Sequence, residues 1–341
     1  MKACITTSLL VFALSITLVS NSFAQLIEDR TKLAQTGMQF LTVPLHARAA
    51  GLGDAMTALG GSSTALFYNP AGMALVANTL DLSLGQNQWI GDIDYHFGSI
   101  AYRPGRGNLG TFGFSLMAIN YGELYETIRA DNSEGFEDLG TFSPTALAAG
   151  FGYARSLSDK FSVGGQLKYV HQSLGASTLS LDGDIPVKEE NALGTLAVDF
   201  GVLYRTGFRS LNFAVSARNF SQELSYGEES FELPLSFRIG ASMDLMDLVS
   251  PDMSTHSLLL AVDAEHPRDY VEQLRVGLEY LFINTLALRV GYVTPTDEEG
   301  ISLGAGLQQS VRGIDLGFDY AYTNFGVFGS VHRMALQFGL D

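Results

Sequence analysis

A chain of 341 residues that is 46% apolar has ample material for a core, yet its 16% charged residues fall below the ~25% usual for soluble surfaces. Its net charge of −16 speaks against a nucleic-acid partner, since binding phosphates needs a basic face. The chain opens with Lys2, an apolar run over 5–19 and the small-x-small triplet Ser22-Phe23-Ala24. That order predicts a secretory signal peptide over residues 1–24. The single cysteine, Cys4, would leave with it, and the exported chain would have no disulfide or thiol chemistry. Past residue 24 no run of 18 apolar residues occurs, so no helix is expected to span a membrane.

Residues 25–78 are rich in small side chains: ARAAGLGDA (47–55), GGSS (60–63) and NPAG (69–72). Within TALFYNPAGMAL (64–75), Asn69 can cap a helical turn and Pro70 suits its first position. Compact turns with glycine kinks are expected here, not strands.

From residue 79 onward the pattern changes to strict alternation. Phe161, Val163, Leu167 and Tyr169 share one face, and Ser162, Gly164, Gln166 and Lys168 the other. Fourteen such segments are predicted, over 79–90, 93–103, 108–121, 144–155, 160–172, 192–205, 209–220, 233–245, 256–266, 272–282, 284–294, 301–309, 313–322 and 330–340. Strands of about 9–11 residues suit a membrane crossing. Connections after even-numbered strands are mostly short, and several after odd-numbered strands are long. The long stretches 121–143, 174–191 and 221–232 hold fourteen acids and two bases. Short turns on one side and long loops on the other are the asymmetry of an outer-membrane barrel. The expected fold is therefore all-β: a 14-stranded antiparallel transmembrane barrel over 79–341, with residues 25–78 as an N-terminal helical hatch inside the lumen. Such a barrel has a lumen that side chains alone do not fill. A soluble β-sandwich would not need the loop asymmetry.

The face opposite the lipid is ionic. Lys168, Arg218, Arg238, Arg275, Arg289 and Arg333 are expected to point inward with Asp199, Asp263, Glu265, Glu279, Asp315 and Asp319. Neighbouring strands carry opposite signs, so cross-strand ion pairs in a wet lumen are expected.

The stretch HARAAGLGDAMTALGGSSTALFYNPAGMAL (46–75) resembles the N-terminal signature of the PorV/PorQ family of outer-membrane proteins, itself similar to the FadL fatty acid transporters. The matching residues are Arg48, Gly51, Gly53, Ala55, Ala65, Tyr68, Asn69, Pro70, Ala71 and Gly72. The resemblance implies a hatch inside a fourteen-stranded barrel. It further implies a part in type IX secretion, with an exported protein or a translocon component as partner. The FadL side implies passage of hydrophobic small molecules, which would call for an exposed apolar capture site. The loops are acidic rather than apolar, which favours the export reading.

Three chemical patterns fail their structural context. Gly51-Leu-Gly53 lacks the third glycine and the preceding strand of a dinucleotide loop. Gly300-Ile-Ser-Leu-Gly304 matches G-x-S-x-G, followed by Asp315 or Asp319 and His332, but Ser302 sits in an alternating strand rather than a strand-to-helix elbow. The six histidines, His46, His96, His171, His256, His266 and His332, show no zinc spacing. No catalytic, cofactor or metal site is expected.

Overall fold

The computed structural model describes residues 36–182, 185–226, 229–249 and 255–341. The predicted signal peptide and residues 25–35 lie outside them.

Eighteen strands follow in chain order among the described residues: β1 (Leu80–Gln88), β2 (Asp94–Tyr102), β3 (Thr111–Asn120), β4 (Leu124–Arg129), β5 (Phe136–Phe142), β6 (Thr145–Ser156), β7 (Phe161–Asp182), β8 (Ile185–Arg205), β9 (Asn212–Ser221), β10 (Leu224–Tyr226), β11 (Glu229–Phe231), β12 (Ser236–Asp244), β13 (His256–Pro267), β14 (Gln273–Phe282), β15 (Leu286–Thr294), β16 (Ser302–Val311), β17 (Ile314–Asn324) and β18 (Ser330–Leu340). The pairs β4–β5 and β10–β11 are separate hairpins. The other fourteen close an antiparallel barrel. β1 seals against β18 in register from Leu80↔Leu340 to Gln88↔His332. Closure leaves no strand edge, the condition for backbone amides to survive in hydrocarbon. The outward rows carry exposed Phe114, Leu116, Phe151, Phe200, Leu288, Leu303 and Leu336, and the residues between them point inward. No helix of the described residues is long and apolar enough to cross a membrane. The short turns gather at one end and the long hairpins at the other. The protein is an outer-membrane barrel, with the long hairpins on the extracellular side.

The fourteen expected segments are the fourteen barrel strands. The expected long loops differ. Residues 121–143 fold into the β4–β5 hairpin, 221–232 contain β10–β11, and 174–191 continue the ladder of β7 and β8 through two register shifts. Their many acidic residues read as loop, although in 174–191 Leu179, Leu181, Ile185 and Val187 alternate with polar residues. Leu224 of β10 and Phe231 of β11 pack on the apolar cluster of the lumen.

Residues 36–79 run inside the barrel from the extracellular end to the start of β1. They are a chain of single turns, Gln39–Thr42, Ala47–Gly51, Ser63–Phe67 and Pro70–Leu75. The lumen has two unlike walls. Met38, Phe40, Leu41 and Leu45 join Tyr95, Phe97, Met117 and Ile119 of β2 and β3 in one apolar cluster. The charged inward residues lie on other strands, β7 to β9 and β12 to β18. In β3 the inward row turns apolar at Met117 and Ile119, and this loss of alternation was its sequence signal.

Candidate functional site

The residues that could act are those that hold the inner segment and those that shape the extracellular mouth. Gly51, Leu52 and Gly53 lie backbone against backbone on a patch where the wall has no side chains. A Cβ on Gly291 would stand 1.9 Å from the Gly53 nitrogen, and one on Gly277 would stand 2.4 Å from the Leu52 carbonyl oxygen. Gly277 and Gly291 face each other across β14 and β15. Gly304 Cα lies 3.1 Å from where a Cβ of Gly51 would be, and Gly53 holds φ +60. The spaced glycines therefore answer a steric demand of this wall.

The NPAG motif docks elsewhere, on β7 and β8. Asn69 is fully buried and caps the turn Pro70–Leu75 as expected, its Oδ1 accepting from Ala71 N at 3.1 Å. Its Nδ2 donates to Thr57 O at 2.8 Å and to Val202 O at 3.1 Å. A Cβ on Gly164 would meet Ala71 N at 2.5 Å, and Gly72 packs on Gly60. Asn69→Ala removes one acceptor and both donors at once. It is expected to loosen this turn by about 3 kcal/mol, since each buried group left unpaired costs about 1–3 kcal/mol. The check is amide exchange at residues 71–76, which should accelerate roughly hundredfold while strand amides are unchanged.

The charged side chains expected inward are placed inward, and the inner segment takes several of them. Arg48 grips Glu279 with two bonds, at 2.9 and 2.7 Å. Arg289 donates to the same Glu279 and, at 2.6 Å, to Asp319. Arg238 reaches Asp54 at 2.7 Å and lies 3.0 Å from Glu265, which also holds Arg275 at 2.6 Å. Arg238↔Glu265 and Glu279↔Arg289 are direct cross-strand register pairs. Asp263 faces Arg275 in register but instead accepts from Thr57 N and Oγ1, at 2.9 and 2.7 Å. Lys168 pairs with Asp199 at 2.7 Å, opposite a bulge where Asn219 takes φ 63. Arg218 donates to the Phe67 carbonyl oxygen. Arg333 donates to Pro44 O at 3.1 Å and lies over the Trp89 ring. Asp315 accepts from Asn78 at 3.0 Å and is only half-buried, near the periplasmic end. The expected cross-strand ion pairs are present, and several of these groups form a clamp on the inner segment. Asp54 and Thr57 were not singled out beforehand. Asp54 is the one acid within ARAAGLGDA, and that isolation was the available signal.

Above the inner segment a cavity of about 430 Å³ opens to the extracellular side. Thr42, Val43 and Pro44 form its floor, with Trp89, Tyr270 and Phe325 among its walls. Glu299 hangs over it from the β15–β16 connection. Burial pushes the Glu299 carboxyl above its usual range, with Arg275 and Arg333 drawing it back. The rim beyond is the acidic hairpin set. Lys188 of β8 pairs with Glu126 of β4 at 3.1 Å, tying two hairpins together.

The hydrolase-like pattern is not assembled. Ser302 is buried and bonds Thr323 at 3.0 Å, whereas His332 lies on the outward row against Tyr320 and Tyr322.

No curated protein matches this chain significantly. Similar solved structures include the Pseudomonas putida toluene transporter TodX, 11% identical at a TM-score of 0.59, over 87% of this chain and 98% of that one. The Ralstonia pickettii toluene transporter TbuX is 14% identical at 0.58, covering 87% and 98%. A Pseudomonas aeruginosa FadL homologue is 11% identical at 0.53, covering 88% and 99%. At such identities the likeness is one of fold. The model of the type IX secretion system membrane proteins PorP/SprF matches residues 136–335. That span begins after the N-terminal motif and takes in most of the barrel wall. The chain belongs to the PorP/SprF family of type IX secretion system membrane proteins.

Proposed function

We propose that this barrel is a non-enzymatic accessory that binds an exported protein, or a larger translocon barrel, at its extracellular rim, in the manner that the PorV/PorQ-like motif implies. The observation that carries the reading is an inner segment fastened to the lumen wall at several points in a member of a secretion family. The inner segment takes up lumen that a passing polypeptide would need, and what the fold builds outward is an acidic set of hairpins. An acidic rim suits basic or polar protein surfaces, and such an encounter weakens as salt screens it. The test is co-purification with mass spectrometry. Wild-type barrel is expected to retain an exported protein or another secretion component. Changing Glu134, Glu137, Glu189 and Glu190 to Gln and Asp138 to Asn should weaken that capture roughly tenfold, about 0.3 kcal/mol per exposed charge.

A second reading, passage of a hydrophobic small molecule, is favoured by the cavity above Pro44 and its aromatic side chains. Its ligand would be indifferent to rim charge. A co-purifying fatty acid, no protein partner and no effect of the rim substitutions would reverse the order of the two readings.

A further inference from the structure

The periplasmic end carries a second charged surface, of the opposite sign. Three turns, after β2, β6 and β8, are neighbours around the barrel because β2, β3, β6, β7, β8 and β9 are consecutive in the wall. They bear Arg103, Arg106, Arg155, Lys160, Arg205 and Arg209 against one acid, Asp159. Among the described residues the rest of that end offers Arg312 beside Asp244, Asp247, Asp315 and Asp341, so the positive charge is confined to one arc. Two of the six cations hold the turns in shape. Arg103 donates to Ala77 O at 2.6 Å and Arg106 O at 2.9 Å, and Lys160 donates to Thr206 O at 3.2 Å on the next turn. The other four, Arg106, Arg155, Arg205 and Arg209, are exposed and make no side-chain hydrogen bond or ion pair among the described residues.

We propose that this arc binds the headgroups of anionic phospholipid and ties one side of the barrel to the membrane surface. Three observations select lipid over a soluble acidic partner. Arg155 ends the outward row of β6 after Phe151 and Tyr153, where a soluble protein does not reach and a long side chain snorkels to the headgroups. Tyr102, Tyr153 and Tyr204 stand within two residues of the cations, at the level where aromatic girdles mark the interface. Each turn also exposes one large apolar side chain, Leu109, Leu157 or Phe208, at 60–63% of its surface. Bare cations next to exposed apolar groups match a boundary of phosphate and acyl chain. The turn Pro70–Leu75 of the inner segment packs on β6, β7 and β8, so the tethered side is the one that carries the NPAG motif.

Native mass spectrometry of the detergent-purified full chain tests this, with phosphatidylglycerol and phosphatidylcholine as probes. Wild type is expected to retain phosphatidylglycerol preferentially, and less so in high salt. Each cation near an anionic surface contributes about fivefold. The quadruple variant Arg106→Gln, Arg155→Gln, Arg205→Gln, Arg209→Gln should therefore lose at least about tenfold of the preference. The matching Arg→Lys variant should keep most of it. Equal retention of both lipids by wild type, no response to salt, or an unchanged preference in a heat-modifiable, folded quadruple Gln variant would overturn the proposal. So would stronger binding of soluble polyglutamate than of phosphatidylglycerol.

Discussion

Replacing Gly291 with leucine is expected to open the barrel to small polar solutes while leaving its wall folded. The substituted carbon would begin 1.9 Å from the Gly53 nitrogen. Overpacking costs about 1–3 kcal/mol where side chains can shift. Here the obstruction is the main chain of Leu52 and Gly53, which cannot turn aside as the end of a flexible side chain can. The inner segment must lift away, which exposes a lumen that side chains alone do not fill. Solute flux in reconstituted vesicles should rise roughly tenfold or more, while the unboiled protein still migrates as a folded barrel. Gly165→Ala is the matched control. Its added carbon meets nothing nearer than 3.5 Å, and it should leave flux unchanged. Equal flux in wild type and Gly291→Leu would mean that the segment does not seal the lumen.

Arg238→Met is expected to have the largest effect among the charged positions. Arg238 is 2% exposed and lies between Asp54 and Glu265. Removing it leaves two buried carboxylates facing each other with less cation between them, which costs about 3–5 kcal/mol for a broken buried pair. Glu265 retains Arg275, so Asp54 is the group left without a charged partner within hydrogen-bonding distance. The double variant Arg238→Met, Asp54→Leu should recover at least about 2 kcal/mol of the loss, because it removes the stranded charge as well. Asp54→Asn should cost less than Arg238→Met, since Arg238 keeps Glu265. The readout is the temperature at which the folded band converts to the unfolded one on a gel. A double variant no more stable than Arg238→Met would show that the pair does not act as a unit.

How much could be read from the chain itself follows from where each residue sits relative to lipid. Strands that present one row to hydrocarbon repeat with period two, and rows such as Leu274, Val276, Leu278, Tyr280 and Phe282 announce both a strand and its face. The charged residues between them were legible as inward for the same reason. Which groups they would meet was not. Asp263 stands opposite Arg275 in register yet binds Thr57, because a segment 206 residues earlier in the chain lies against it. Sequence spacing carries no information about such a neighbour. The continuation of β7 and β8 was likewise hidden, since its acidic residues read as loop although Leu179, Leu181, Ile185 and Val187 alternate with polar residues. The bulge at Asn219 was hidden too, because its positive φ depends on the local mismatch between β8 and β9.

The separation between the two ends of the clamp sets an order of events. Arg48 must find Glu279, 231 residues further along, and Arg333 must find Pro44, 289 residues back. Contacts this distant close late, after the loop entropy between them has been spent. The segment made first is therefore fastened last. Until β14 to β18 arrive, it has the apolar wall of β2 and β3 and its partners on β9, β12 and β13, but not Glu279 for Arg48 or Arg333 for Pro44. Joining β1 to β18 and seating the inner segment become one concerted step. The barrel cannot be complete and leaky for long, because the strands that finish the ring also bring the groups that seal it.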